Sequence, residues 1–482
     1  MKNKILITTP IYYVNDKPHI GHAYTTLAAD VLTRFFRTQG NEVFFLTGTD
    51  EHGAKIAEVA EKLGKTPKQI CDENSKIFKS AWQNLGIKYD YFIRTTDKRH
   101  EKAVKKFVEK LKEKNAIYEK EYEGLYCTGC EKFLTEKDLV DGICPDHKTK
   151  PEKISEKNYF FKLNSNIVKE SIKTKQLKIT PARAENEVLG LLNYGLEDFS
   201  ISRQKERVKW GIDLPFDKKQ IIYVWVDALL NYISAIGYGD NEKEFKKWWT
   251  EGHVIHLLAK DILKFHAVYW PAMLLSVGIK SPEEEFIHGF FTVNGQKMSK
   301  TLGNVIDPND LVKKFGTEVA RYLLLSQFPL TQDGDVKEEK FTERYNSNLA
   351  NGLGNLVARV LTLANKYGVK YKKSTHIHDD DIRGRVDDAW TSYKKNMEEF
   401  RLFESLEDAW KLISCCDGYI EAKKPWTLIG EDKPKAEKII SDLLYCLSEI
   451  ADLIAPFLPE TSEKIKNQLK TGKSEILFPR LQ

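Results

Sequence analysis

The chain has 482 residues, of which 41% are hydrophobic, and a formal net charge of +5. This length accommodates roughly two to four domains, and no apolar run approaches the roughly 20 residues of a membrane-spanning helix, so a membrane protein is excluded. The small net charge gives no support for nucleic-acid binding through a bulk positive field. The first apolar run, Ile5-Leu6-Ile7, is too short for a secretory signal, so the seven cysteines predict reduced thiols in a cytoplasmic protein.

The N-terminal part alternates strands with helices. We predict strands over 4–9 and 42–47 and helices over 23–38, 54–62, 67–85 and 98–115. Strand–helix alternation of this kind is typical of a parallel α/β sheet.

Two histidines stand between the first strand and the first helix, in Pro18-His19-Ile20-Gly21-His22. Unpaired N–H groups and a partial positive charge at a helix N-terminus favour phosphate. His19 and His22 are three residues apart and can face one ligand, and Gly21 lets a nucleotide approach the backbone. The alternative is a surface turn with two solvated histidines.

Residues 119–205 differ in character, with short strand-like pieces, polar turns and two chelating pairs. The pairs are Cys127-x-x-Cys130 and Cys144-x-x-His147. Two such pairs at this separation match a tetrahedral zinc knuckle, and four protein ligands leave no position for a catalytic water. We therefore predict an insertion with one structural Zn²⁺. The alternative is a chance cluster of free thiols.

The α/β pattern returns with predicted strands at 220–226, 254–258 and 286–288. Nucleotide sites in such sheets lie at the carboxyl ends of the strands. A second basic segment, Lys297-Met298-Ser299-Lys300-Thr301, follows the turn Asn294-Gly295. Its two ammonium groups could stabilise the pyrophosphate that leaves when the α-phosphate of ATP is attacked. The alternative interpretation of this segment is an ordinary solvated loop.

From about residue 346 onward the apolar residues recur at helical spacing, which predicts a helix bundle. This part carries equal numbers of basic and acidic residues. RNA recognition there would depend on particular contacts.

These segments resemble the class I aminoacyl-tRNA synthetases, and within them the methionyl-tRNA synthetase family. The resemblance covers nearly the whole chain and rests on PHIGH (18–22), GTDEHG (48–53), YVWVDAL (223–229), KDILKFHAVYWPAML (260–274), VNGQKMSKTLGN (293–304) and the C-terminal helical region. Thr301 stands where many relatives have serine and keeps the hydroxyl.

The resemblance implies roles for individual residues. It implies catalytic His19, His22, Lys297 and Lys300, with Gly21, Asp261 and Ser299 binding ATP and Asp261 contacting the ribose. The positions that match the family's methionine pocket are Ile11, Tyr13, Asp50, Trp225, Ala228, Leu229, Tyr232, Ile262 and His266, with support from Arg203, which would pair with Asp50, and from Trp270.

Aromatic and aliphatic side chains suit an unbranched thioether, although each could simply be a core residue. A carboxylate at the end of the second strand suits the ammonium group of an amino acid, although Asp50 could instead cap the next helix. Leu229 stands where relatives have proline.

The helical region resembles the family's anticodon-binding domain, with Asn355, Arg359 and Trp426 at the anticodon-reading positions. Asn355 and Arg359 share a helix face, and Trp426 follows Pro425, where a base could stack. The alternatives are a solvated residue for Arg359 and a core residue for Trp426.

Other functions fit less well. Leucine, isoleucine and valine enzymes need a larger editing insertion than 119–205, and a cysteine enzyme would place zinc in the amino-acid pocket. A catalytically dead RNA-binding relative would not need the signature histidines and lysines. A small nucleotidyltransferase would need neither a knuckle nor a helix bundle.

The predicted fold class is α/β, with a Rossmann-like parallel-sheet catalytic domain, an inserted zinc-knuckle domain and a C-terminal all-α helix bundle. The expected domains are the first half of the catalytic domain (1–118), the connective insertion (119–205), the second catalytic half (206–290), the KMSK loop and stem-contact region (291–345) and the anticodon-binding domain (346–482).

The expected reaction joins methionine to initiator and elongator methionine tRNA through methionyl-adenylate, with ATP–Mg²⁺ as substrate. We expect a monomer, because the sequence ends at Gln482 without the extra tRNA-binding domain of dimeric relatives.

Overall fold

The computed structural model describes residues 3–127, 132–134, 136, 139–145, 148–293, 295–298, 304–372 and 377–481. The chain divides into two compact units. The first comprises Met1–Pro18, Phe36–Gln83 and Lys88–His288, and the second His19–Phe35, Asn84–Ile87 and Gly289–Gln482. Among the described residues no helix is long and apolar enough to span a bilayer.

The strands of the first unit are, in chain order, β1 (Lys4–Tyr13), β2 (Glu42–Asp50), β3 (Tyr91–Arg94), β4 (Ile117–Cys127), β5 (Lys132–Leu134), β6 (Glu152–Phe161), β7 (Lys178–Thr180), β8 (Phe199–Ser200), β9 (Ser202–Gln204), β10 (Asp213–Leu214), β11 (Asp217–Ile222), β12 (His253–Ala259) and β13 (Glu284–His288).

The central sheet of this unit has six strands in the order β3-β2-β1-β12-β13-β7, all parallel. Chain order reverses between β1 and β12, so their carboxyl ends frame the crevice in which doubly wound sheets bind ligands. The parallel α/β sheet predicted from the sequence is confirmed. β1 runs beyond the predicted strand because a register shift between Thr8 and Ile11 accommodates Pro10.

The helices that follow these strands are α1 (Ile20–Thr38), whose first part belongs to the second unit, then α2 (Ala54–Lys62), α3 (Pro67–Asn84), α4 (Lys98–Glu113), α5 (Ser165–Lys173), α6 (Ala182–Tyr194), α7 (Val224–Leu229), α8 (Asn231–Ser234), α9 (Glu242–Phe245) and α10 (Trp270–Ser276). The predicted helices at the N-terminal end all form, with ends shifted by up to three residues. α4 shows why: its apolar positions Val104, Phe107, Val108 and Leu111 recur on one face and are all buried.

One predicted strand forms only in part, since residues 220–222 belong to β11 and the rest do not. The apolar run 220–226 does not form a strand of the parallel sheet: β11 ends at Ile222, and α7 begins at Val224. β11 pairs antiparallel with β9 and β10 in a separate three-stranded sheet. A short apolar run cannot by itself distinguish a strand from the start of a buried helix.

The segment predicted as an insertion contains a four-stranded antiparallel sheet in the order β5-β4-β6-β8. It also contains β7, which forms the edge of the six-stranded parallel sheet. The sequence did not anticipate this return to the main sheet, because β7 has only three residues. The limits of the predicted domains otherwise stay a prediction.

The second unit continues with strands β14 (Phe291–Val293), β15 (Gln296–Lys297) and β16 (Gly334–Asp335), which form one small sheet. β14 and β15 pair antiparallel around Gly295, whose φ of 72° lies in the left-handed region that glycine adopts without strain. The Gly295 N–H donates to Asp335 Oδ1 at 2.7 Å and ties this turn to β16.

The helices of the second unit are α11 (Pro308–Phe315), α12 (Thr317–Leu325), α13 (Glu338–Arg344), α14 (Asn355–Tyr367), α15 (Asp380–Glu398), α16 (Leu402–Lys423), α17 (Pro425–Glu431), α18 (Lys433–Ile454) and α19 (Pro459–Thr471). A π-helix, Tyr345–Gly354, joins α13 to α14. The predicted helical region is confirmed, and Leu349, Leu353, Leu356 and Val360 of its apolar series are fully buried or nearly so.

Candidate active site

The signature histidines stand at the start of α1, in the second unit. The His19 carbonyl accepts from Ala23 N at 3.1 Å, so the helix begins earlier than predicted. The two imidazole rings stack with centroids 3.8 Å apart. The sequence predicted that both rings could face one ligand, and this stacking is consistent with it.

Hydrogen bonds fix the tautomer of both histidines. His19 Nδ1 accepts from the Gly21 N–H at 3.0 Å, and His22 Nδ1 accepts from the His19 N–H at 3.3 Å. An accepting ring nitrogen carries no proton, so each neutral ring bears its hydrogen on Nε2. Burial, with His19 adding to it, holds the pKa of His22 well below its ordinary value. Two neutral Nε2–H donors suit phosphate oxygens.

The second signature segment approaches the first at Gly21. A Cβ added to Gly21 would lie 2.8 Å from His19 Cε1 and 3.4 Å from Met298 Cε. This short distance places Met298, the residue after β15, beside the start of α1. The backbone of Lys297 belongs to β15, whereas Ser299 and Lys300 lie outside the described residues.

Several of the predicted substrate-binding residues lie at the carboxyl ends of parallel strands of the first unit, whereas those on α7 and α8 follow the antiparallel strand β11. Ile11 and Tyr13 end β1, and Tyr13 is the register partner of Asp50 at the end of β2. Asp261 and Ile262 lie on a 3₁₀ turn directly after β12. This placement agrees with the topological rule for such sheets.

The aromatic members form a contact network among short helices. Trp225 on α7 stacks on Phe265 with centroids 4.2 Å apart and nearly parallel planes. Tyr232, on α8, places its hydroxyl 2.8 Å from His266 Nε2. Ala228, Leu229, Tyr232 and His266 are all buried, as is Trp270, while Trp225 and Ile262 remain half-buried.

His266 is a neutral acceptor for Tyr232. Its Nδ1 lies 3.0 Å from the Ile262 carbonyl oxygen, which can only accept, so Nδ1 carries the proton. Nε2 therefore accepts from the Tyr232 hydroxyl. Burial lowers the pKa of His266 to about 4, despite the opposing Ile262 carbonyl and Asp261. The pair therefore brings hydrogen bonding without charge to the predicted methionine pocket.

A fully buried ionic chain positions the elements behind this pocket. Asp227, on α7, places its two carboxylate oxygens 2.7 Å from His52 Nδ1 and from His100 Nε2, and His100 Nδ1 lies 2.7 Å from Ser234 Oγ. Burial opposes a charge on His52, but Asp227 outweighs it and raises the pKa of His52. These contacts hold α7 and α8 against α4 and the end of β2.

The predicted partner of Asp50 has other contacts. Arg203 is buried, and its Nη1 donates to the Ser202 carbonyl at 2.7 Å and to Ser200 Oγ at 2.9 Å. Its guanidinium lies 3.9 Å from the centroid of the Tyr223 ring. The pairing of Arg203 with Asp50 stays a prediction.

Only half of the predicted zinc site falls within the described residues. Cys127 ends β4, and Cys144 follows the turn after Val140; both are buried and pack together with Leu134. Lys148 N donates to the Cys144 carbonyl at 2.7 Å. Cys130 and His147 lie outside the described residues, and within the described part no three potential ligands cluster.

The anticodon-reading positions lie on the helices of the second unit. Asn355 begins α14 and is exposed, and Trp426, on α17, is 40% exposed, so the core alternative for Trp426 is wrong. Arg359 is half-buried and bridges Asp417 at 3.1 Å and Glu421 at 2.5 Å. It is therefore an ion-paired residue rather than a freely solvated one.

Comparison with known proteins decides the family. A family model described as class I tRNA synthetases (M) matches residues 5–153 and 147–361, and one described as the anticodon-binding domain of tRNA ligases matches residues 379–480. The chain belongs to the methionyl branch of the class I tRNA synthetases. The family predicted from the sequence is thus confirmed.

Relatives and solved structures agree along the whole chain. The methionine–tRNA ligase of Caldanaerobacter subterraneus subsp. tengcongensis is 41% identical over 100% of this chain and 79% of its own length. The methionine–tRNA ligase of Thermotoga maritima is 42% identical over 96% of this chain and 74% of its own length. The structure of Mycobacterium tuberculosis methionyl-tRNA synthetase with methionyl-adenylate has a TM-score of 0.90 at 33% identity, covering 100% and 99% of the two chains.

The sequence interpretation gave no individual roles to Glu51, His52, His100 or Asp227. Glu51 is buried and accepts two hydrogen bonds from Arg94, at 2.6 and 2.9 Å. For Glu51, His52 and Asp227 the available signal was their presence in GTDEHG and YVWVDAL, whereas His100 lies in neither motif. Their pairing could not be foreseen, because His52 and Asp227 are 175 positions apart.

Proposed function

We propose that the chain is a methionine–tRNA ligase. It activates methionine with ATP to methionyl-adenylate and pyrophosphate, and then transfers the methionyl group to the 3′ end of initiator and elongator methionine tRNA. The relatives that carry this name and the solved neighbour that holds methionyl-adenylate support the proposal.

The observation that carries activation is the approach of Met298 to Gly21, beside the stacked rings of His19 and His22. In the proposed step a carboxylate oxygen of methionine attacks the α-phosphorus, and the bond to the pyrophosphate oxygen breaks. The two Nε2–H groups donate to phosphate oxygens, and the ammonium groups of Lys297 and Lys300 stabilise the leaving pyrophosphate. Catalysis is positioning and electrostatic stabilisation, without a protein nucleophile.

Phosphate and ribose contacts complete ATP binding. Gly21 lets the nucleotide approach the backbone, Ser299 contributes a hydroxyl beside the lysines, and Asp261 accepts from a ribose hydroxyl. Mg²⁺ arrives with ATP and neutralises its phosphates. The position of Asp261 directly after β12 supports its role.

Methionine binding follows from the aromatic network. We assign the substrate ammonium group to the Asp50 carboxylate and the thioether to the apolar walls formed by Trp225, Ala228 and Leu229. The neutral Tyr232–His266 pair supports this role, because a charged histidine would disfavour an apolar side chain. An apolar pocket discriminates weakly against one missing methylene, so homocysteine should be activated to a measurable extent.

Two further assignments accompany this function. Asn355, Arg359 and Trp426 read the anticodon, which the exposure of Trp426 supports. Cys127, Cys130, Cys144 and His147 hold one structural Zn²⁺, which cross-links the insertion. The packing of Cys127 against Cys144 fits a thiolate donor set. A monomer in the cytosol remains the expected state.

ATP–pyrophosphate exchange with each amino acid in turn tests the proposal. Exchange should depend on methionine, with slower exchange for homocysteine. Exchange that depends on a different amino acid, or none with methionine in correctly folded protein, would overturn the proposed function.

A further inference from the structure

A groove in the second unit lies outside all the residues discussed so far as substrate contacts. It encloses about 510 Å³ between α12, α13, the π-helix Tyr345–Gly354 and α16. A cavity of this volume is in the range of ligand-binding clefts. The residues on which the argument depends are Tyr322, Arg344, Asn348, Trp410, Lys411 and Cys415.

One wall of the groove is aromatic and fixed by hydrogen bonds. Tyr322 and Trp410 stack with centroids 4.7 Å apart. Asn348 contacts both rings, because its side-chain Nδ2 donates to the Tyr322 hydroxyl at 2.7 Å and its backbone carbonyl accepts from Trp410 Nε1 at 3.3 Å. These two hydrogen bonds and the stacking fix the orientation of both rings.

The groove also presents cationic groups. Within the part of the chain that the structure describes, no carboxylate pairs with the half-buried Arg344 guanidinium, whereas Arg359 has two such partners. Lys411 is exposed and lies 3.2 Å from Asp408. Glu407 is the acidic lining residue. An arginine without a carboxylate partner beside aromatic rings suits a phosphate attached to a planar or sugar group.

The groove continues along α16 toward the proposed anticodon contacts. Trp410 and Ser414 line the groove. Asp417 and Glu421 lie about one and two turns beyond Ser414 on α16, and both pair with Arg359. With a rise of about 1.5 Å per residue, Trp410 and Asp417 are about 10 Å apart along the helix axis. An RNA chain whose bases are read at Arg359 would pass beside the groove.

We propose that this groove binds the sugar–phosphate backbone of tRNA next to the anticodon nucleotides, with the Arg344 guanidinium on a phosphate. The proposal rests on the function proposed above. It adds a contact that carries affinity and orientation but no base specificity, because a phosphate contact reports no sequence.

Steady-state charging by Arg344→Gln tests the proposal. The Michaelis constant for methionine tRNA should rise about fivefold or more, and the slope of log affinity against log salt should decrease by about 0.7–0.9, as expected for one lost phosphate contact. Preference for the methionine anticodon should stay at the wild-type ratio. Arg344→Lys should recover part of the loss, since it keeps the charge.

Arg385→Gln is the matched control, because Arg385 is an exposed arginine on α15 whose contact with Asp381 is 3.7 Å. It should leave both the Michaelis constant and the salt slope unchanged. If Arg344→Gln behaves like this control while Trp426→Ala loses anticodon preference, the groove proposal is wrong and the proposed function stands. If wild type shows no methionine-dependent exchange, the proposed function itself fails.

Cys415 supplies a second readout that needs no variant. Its side chain lines the groove and is half-buried, so iodoacetamide should label it slowly and the labelled peptide can be followed by mass spectrometry. Methionine tRNA should slow labelling at Cys415 severalfold, while methionine with ATP should not. Equal labelling rates with and without saturating tRNA would exclude RNA from the groove.

Discussion

Gly21 stands where the His19 ring leaves no room for a side chain. An added Cβ would approach His19 Cε1 and Nδ1 to 2.8 and 2.9 Å, closer than real Cβ contacts. The neighbouring ring must therefore move, although the glycine backbone itself is not strained.

Gly21→Ala should consequently slow methionyl-adenylate formation by about 100-fold, because displacement of a phosphate-binding group by about 1 Å costs a factor of this size. Methionine affinity should change little. Rapid-quench adenylation and equilibrium methionine binding measure the two quantities. A wild-type adenylation rate would show that the position of His19 does not matter.

His266 links pocket chemistry to stability. Its pKa is lowered to about 4 in the folded state by burial, whereas an unfolded histidine titrates near 6.5. Between these values the unfolded chain binds the extra proton, so this contribution to stability is present above about pH 6.5 and is lost as pH falls toward 4.

We therefore expect wild type to lose up to about 2 kcal/mol more than His266→Gln between pH 7 and pH 5. Glutamine can still donate to the Ile262 carbonyl and accept from Tyr232. Denaturant unfolding of both proteins at the two pH values measures the difference. The other buried histidines titrate in both proteins, so their contribution cancels in this comparison. Equal losses would mean that His266 is not buried in neutral form.

At the scale of elements, one arginine connects three parts of the second unit. Arg321, on α12, is fully buried and lies 2.8 Å from Asp30 of α1. Its guanidinium also donates to the carbonyls of Leu85, Pro456 and Phe457 at 2.8–3.1 Å. The last two precede α19, so this residue joins the signature helix to the C-terminal bundle.

Arg321→Met should lower the free energy of unfolding by about 3–5 kcal/mol, because it leaves the buried Asp30 carboxylate without one of its two arginine partners. Adding Asp30→Leu should recover part of this loss. A double-mutant cycle in denaturant gives the coupling, and additive effects of the two substitutions would mean that the pair does not act as a unit.

The insertion has its own stabilising element. Cys127 and Cys144 belong to a small cluster with Leu134 and Leu139, separate from the large core around the parallel sheet. A cluster this small buries little apolar surface, so the proposed zinc would supply much of the stabilisation of these turns.

Cys144→Ser should remove the expected one zinc per chain and loosen the insertion, which limited proteolysis would detect. Adenylation should fall less than tRNA charging, because the core of the parallel sheet does not include the cluster. Elemental analysis of wild-type protein supplies the control, and an absence of zinc from carefully prepared wild type would refute the metal assignment.

At the scale of the whole molecule, the proposed function assigns recognition of the anticodon and binding of methionine to separate sets of residues. Trp426 is exposed on α17 of the second unit, and the predicted methionine-pocket residues belong to the first unit. The two activities should therefore be separable by substitution.

Trp426→Ala should raise the tRNA Michaelis constant about 5- to 150-fold, which corresponds to the loss of one base–aromatic stack of about 1–3 kcal/mol. Methionine-dependent exchange should stay normal. A tRNA with an altered anticodon is the control: wild type should discriminate against it strongly, and the variant less. Full discrimination by the variant would exclude an anticodon contact at Trp426.

Local pattern in the sequence determined the elements and the family. The period of apolar residues predicted α2 and α4 closely, because amphipathic helices bury one face wherever they pack. Short signatures such as PHIGH and KMSKT predicted the family, since glycine, histidine and lysine at fixed spacing meet a local geometric need.

Only tertiary structure decided what depends on contacts between distant residues. It decided that Val224 begins a helix, that three residues at 178–180 close the edge of the main sheet, and that Asp227 joins His52 to His100. It also gave Arg359 its carboxylate partners and left Trp426 exposed. A sequence records which groups are available, whereas their pairing, burial and protonation follow from distances that only the folded chain fixes.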